Sequence, residues 1–154
     1  MSDSALLERM RALLLGLSAL MFGGTIVELI FAEHTDGFIQ LLPLACCAVG
    51  LLTLVLLSRT HDSGPIRAGR IVLGLIAAAS LFGMAEHLWN AYLMTRDFHP
   101  GIAGWDMIRT TLTSSIPLLA PGALAAGAGV ALIATYGLGS HPQSAPHSAS
   151  LRRA

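Results

Sequence analysis

The chain has no lysine: all nine basic residues are arginine, and the longest basic run is Arg152-Arg153. A basic patch able to track a phosphate backbone is missing, so the sequence gives no nucleic-acid partner. Charge of both signs is scarce. Asp, Glu, Lys and Arg make up 12% of the 154 residues and cancel to a formal net charge of zero, while 54% are hydrophobic. Soluble domains carry roughly twice that share of charge, and an ordinary soluble domain is excluded. Cysteine is limited to Cys46 and Cys47, adjacent in an apolar run. Neighbours on a helix point in different directions, so no structural disulfide joins them and they say nothing about redox compartment. His-x-x-x-His, Glu-x-x-His and Cys-x-x-Cys spacings are also missing.

What the chain does have is long apolar runs, with a mean hydropathy of +0.68. About 20 apolar residues cross a bilayer. Segments 11–31, 38–57, 69–94 and 116–136 answer to that description, joined by loops 32–37, 58–68 and 95–104. Residues 1–10 read as a short polar start. Two acids precede the first run and no A-x-A site follows it, so the run reads as a retained span. Residues 105–115 mix polar and apolar positions, as a helix lying in the interface does. The expected fold is therefore all-α, a four-span transmembrane helix bundle with a short interfacial helix before the fourth span. Residues 1–136 form that domain, and the Gly, Ser, Pro and His composition of 137–154 reads as a disordered cytoplasmic tail. Pro43 predicts a modest kink in span two, and Pro117 with Pro121 a kinked entry to span four.

Short loops make consecutive spans antiparallel. Loop 58–68 with Arg70 carries three arginines against Asp62, whereas loop 32–37 carries Glu33 and Asp36 and no base. Arginine excess marks the cytoplasmic side. Both termini and the second loop are thus expected in the cytoplasm, in a multi-pass protein of a bacterial inner membrane.

Ionisable groups inside apolar spans are the sites to explain, because each needs a partner or water. Glu28 lies roughly one turn inside the outer end of span one, and Glu86 and His87 about 10–12 Å below the outer end of span three. Gly24 shares a helix face with Glu28, and Ala79, Gly83 and His87 share another, joined by Asn90. Small residues let helices approach, so these faces are expected to form tight seams, with a third at Ala125, Gly127 and Gly129. The polar cluster is Glu28, Glu33, His34, Glu86, His87 and Asn90, with Glu28 and His87 within hydrogen-bonding reach, directly or through one water, and Glu33 and His34 as a polar mouth. Three readings stand side by side. The cluster holds the bundle together in a structural or assembly role, it lines a proton or solute pathway, or it binds a metal or haem. For a metal, Glu28, Glu33, His34 and His87 have the right donor types, and no cofactor is specified. Ser114 and Ser115 lack a His/Asp partner in spacing. Trp89, Tyr92 and Trp105 read as interface anchors, with Tyr136 at the other face. Expected partners are the lipid bilayer and either a second copy or another membrane protein.

Several stretches resemble a family of small, uncharacterised four-span bacterial integral membrane proteins. They are GTIVELIFAEHTDGFIQLLPL (24–44), His87 with a glycine four residues before it, Gly104-Trp105-Asp106, and Leu119-Ala120-Pro121-Gly122. Together they cover nearly the whole chain outside its termini. The resemblance implies that Glu28, Glu33, His34, Asp36, Gln40, Pro43, His87 and Pro121 stand at the family's recurrent positions. Glu86 departs from the pattern, which is apolar there; this weakens Glu86 as the essential acid and favours His87, while helical spacing leaves open which of the two faces inward. No activity comes with the resemblance.

Overall fold

The structure, a computed structural model, describes residues 2–33, 37–60, 62–113, 119–136 and 138. Five helices run in order: α1 Asp3–Phe31, α2 Phe38–Arg59, α3 Ser63–Phe98, α4 Gly104–Thr113 and α5 Leu119–Ala134. The all-α bundle is as expected. Three helices, α1, α2 and α3, are long and apolar enough to cross a membrane, and α5 is a shorter apolar helix. Only 28%, 28% and 17% of the apolar windows of α1, α2 and α3 are buried inside the protein. Leu13, Leu20 and Phe82 are about 70% exposed (73%, 71% and 68%). So much bare apolar surface is tenable within a membrane, against lipid or another membrane helix.

Boundaries differ from expectation in three places. Residues 3–10 are helical, so α1 begins eight residues before the apolar run. Residues 63–68 are also helical, although Gly64-Pro65 reads as a breaker. Pro65 is the third residue of α3, inside the first turn, where its missing N–H has no intrahelical acceptor to lose. The connection between α2 and α3 shrinks to residues 60–62. At the far end α3 continues through Phe98, giving 36 residues. At about 1.5 Å per residue that is roughly 54 Å, well beyond a 30 Å hydrocarbon layer. Pro121 likewise falls in the first turn of α5, while Pro117 lies outside the described residues.

Packing places α5 against both α1 and α3, and α2 against both α1 and α3. The helices thus form a four-cornered ring in the order α1, α2, α3, α5. Helices α2 and α5 meet across its short diagonal, while α1 and α3 occupy the far corners, with no Cα of one within 8 Å of a Cα of the other. The first end of α1, the α2–α3 connection and the last turn of α5 gather at one end of the bundle. The last turn of α1, the first turn of α2 and α4 lie at the other.

Phe22 is the centre. Its side chain is fully buried, and its ring fills a notch between Gly50 of α2 and Gly127 of α5. A methyl placed on Gly50 would stand 2.9 Å from two ring atoms. Gly69 gives the same clearance to Leu57, at 3.0 Å. The tight glycines are therefore Gly50, Gly69 and Gly127. Of the expected seams only that of Gly127 is close: a methyl on Gly23, Gly24, Gly83 or Gly129 would meet nothing within 4 Å.

Four buried hydroxyls satisfy themselves. Ser18, Thr25, Thr53 and Ser80 each donate to the carbonyl four residues back, at 2.8–3.0 Å. Such bonding removes the need for a partner on another helix.

Candidate functional site

Two arginines that the sequence offers only as charge markers are the best-connected polar side chains. Arg11, near the start of α1, donates to the carbonyls of Leu57 and, at 3.5 Å, of Thr60. Those carbonyls belong to the last turn of α2 and the residue that ends it. Arg70, in the second turn of α3, donates to the carbonyl of Thr135, to its hydroxyl at 3.0 Å, and to the Leu138 carbonyl at 3.2 Å. These groups finish α5. The last carbonyls of a helix have no intrahelical donor and carry the negative end of its dipole. A guanidinium presents several donors in a fixed fork and stays charged, so it serves two such carbonyls at once. One device is used twice: each helix leaving this end caps the helix that returns to it.

Of the expected polar cluster, the described members fall at two corners: Glu28 and Glu33 on α1 and its end, Glu86, His87 and Asn90 on α3. Glu28 is exposed on α1, and its carboxylate makes no hydrogen bond or ion pair to a described residue. His87 is half-buried on α3, in line with Ser80 and Ala91 on the inward stripe, whereas Glu86 and Asn90 are exposed. The inward member of the Glu86/His87 pair is His87. No direct hydrogen bond or ion pair joins Glu28 and His87. The reason is topological: α1 and α3 are the diagonal pair, with α2 and α5 between them. Helical spacing fixes which side chains share a face of one helix. It carries no information about which helices are neighbours.

Glu33 has a local task. It follows α1 with φ 51°, and its N–H donates to the Ile30 carbonyl at 3.1 Å, while the Ala32 N–H donates to Glu28 at 2.9 Å. This is a left-handed helix stop of the kind glycine usually occupies. Gly37, at φ 136°, opens α2 in a conformation that favours glycine. His34 and Asp36 lie outside the described residues.

No three His, Cys, Asp or Glu among the described residues come together as a metal site. Their buried polar set is Ser and Thr alone, with no carboxylate, imidazole or guanidinium in it. Among the described residues, then, the interior offers neither a donor set for an ion nor a chain of ionisable groups for a proton. Cys46 and Cys47 are free thiols, the second fully buried in the core. Ser114 and Ser115 lie outside the described residues.

No protein-family model matches the chain, and no curated protein or solved structure matches it either. The plain result is a small helical protein built for a lipid bilayer.

Proposed function

We propose that this is a four-span plasma-membrane protein of the bacterial family it resembles, with both termini cytoplasmic and a role in assembly. Its α1 helix presents Glu28 to a second membrane helix, from another copy or another protein. The observation that carries this reading is the exposure of Glu28, without a hydrogen-bond partner among the described residues, on an apolar helix of spanning length. Carboxylates at such positions face a partner or water. The same side of α1 carries Gly24, one turn before Glu28, exposed and with open space above it, which lets another backbone come close.

Orientation is supported by charge. The end with the arginine caps holds Arg9, Arg11, Arg59, Arg67 and Arg70 against Asp3, Glu8 and Asp62, or 5 − 3 = +2. Among the described residues the α4 end holds Arg96 and Arg109 against Glu28, Glu33, Glu86, Asp97 and Asp106, or 2 − 5 = −3. The first end belongs in the cytoplasm.

The test uses a background of Cys46→Ala and Cys47→Ala with Gly24→Cys added. Thiol cross-linking in native membranes is expected to give a band heavier than the monomer, its mass separating a second copy from a different protein. Glu28→Leu should reduce that band, and Glu28→Gln, which still hydrogen-bonds, should keep it. If Gly24→Cys stays monomeric and reacts with a lipid-soluble maleimide as freely as Phe82→Cys on α3, the face meets only lipid. Glu28 would then be a carboxylate reaching past the last turn of α1 to the headgroups.

A further inference from the structure

Where α4 lies along the far end of α3, the two helices enclose a cleft of about 550 Å³. Leu88, Trp89 and Tyr92 of α3 form one wall, and Met107, Ile108 and Leu112 of α4 the other. No charged side chain lines it. A polar or charged solute entering would lose hydration and gain almost nothing in return. An apolar cavity of about 150 Å³ already accepts a benzene ring, so this space suits a long hydrocarbon.

Its place in the fold identifies which hydrocarbon. Trp89, Ile108 and Leu112 stand exposed on the rim and continue the bare aliphatic surface of α3, including Phe82. The cleft therefore opens sideways onto the face that meets lipid, and not onto a path through the bundle. Trp89 and Tyr92 pack with ring centroids 5.7 Å apart, and such aromatic groups settle at headgroup level. On α4 the groove-facing residues recur at i, i+1, i+4 and i+5, with Asp106, Arg109 and Thr113 on the other side. A short helix patterned in this way lies in the interface with its apolar face towards the acyl chains. The space beneath it is filled by chain, because leaving it empty forfeits the contacts of both walls.

We infer that the cleft between α3 and α4 holds one acyl chain of a membrane phospholipid, which wedges α4 at its distance from α3. Two measurements test this on the full chain in mild detergent. Native mass spectrometry is expected to show one phospholipid retained per chain, and Ala85→Phe, which fills the cleft from α3, to lose most of it. Met107→Phe fills it from α4 and should act alike if the first variant folds poorly. In vesicles of phosphatidylcholine brominated along the acyl chain, Trp89 (alone after Trp105→Phe) should be quenched more strongly in wild-type context than with Met107→Phe. Equal lipid retention by wild type and both filled variants would overturn the assignment. So would displacement of the phospholipid by equimolar palmitate, since the site would then belong to a free fatty acid.

Discussion

Replacing Arg70 with methionine is expected to lower the melting temperature in detergent by roughly 3–12 °C. The estimate takes about 1.5–3 kcal/mol for hydrogen bonds to a charged donor, at roughly 2–4 °C per kcal/mol for a protein of this size. Arg70 serves the Thr135 carbonyl and hydroxyl and the Leu138 carbonyl, so its loss leaves the end of α5 uncapped. Arg11→Met should behave alike at the end of α2. Lysine should rescue neither well, since a single ammonium lacks the fork that reaches two carbonyls. Arg67 is the control: it lies one turn from Arg70, is exposed, and makes no hydrogen bond or ion pair to a described residue. If Arg67→Met costs as much as Arg70→Met, the arginines act only as interfacial charge and the capping account fails.

The larger effect belongs to Phe22. Between helices in lipid there is little hydrophobic drive, and close packing supplies much of the association. Phe22→Ala empties the notch between α2 and α5 and should destabilise by about 3–5 kcal/mol. Gly50→Ala approaches the same contact from the other side. A glycine-to-alanine change inside a helix ordinarily gains about 1 kcal/mol. Here the new methyl would stand 2.9 Å from the Phe22 ring, and crowding of about 1–3 kcal/mol should reverse that sign. Gly16→Ala and Gly24→Ala have open space and should keep the ordinary gain. Because Gly50 and Phe22 touch, Phe22→Leu with Gly50→Ala should be less harmful than the two separate costs added together. Additive costs in the double variant would show that ring and glycine do not share one contact.

These residues also mark what was legible in the sequence. Apolar length against scarce charge identified the helices, and the break between α1 and α2 and the amphipathic α4 fell where composition put them. Pro65 misled because a proline is read as a breaker, while its effect depends on whether an acceptor lies one turn before it. Glycines could be listed but not ranked. Gly50, Gly69 and Gly127 face neighbours and Gly23, Gly24 and Gly83 do not, and that depends on helix order around the ring. The same ignorance put Glu28 and His87 at one site. Their depths followed from helical rise, their helices from hydropathy, and the diagonal between them from neither. Arg11 and Arg70 count in the sequence only towards a charge balance. A signal was available, since each begins a span whose partner returns to the same end with bare carbonyls.

The helix order around the bundle carries the whole account and can be read directly. In a background of Cys46→Ala and Cys47→Ala, two cysteine pairs are compared under mild oxidation. Met21→Cys with Gly127→Cys joins α1 to α5, where a Cβ on Gly127 would stand 3.2 Å from that of residue 21, close to disulfide geometry. Glu28→Cys with His87→Cys would have to join α1 to α3 across the diagonal. The account predicts rapid intramolecular disulfide formation in the first pair and none in the second. Ready formation of the Glu28–His87 bridge, with the Met21–Gly127 pair left reduced, would contradict it by making α1 and α3 neighbours.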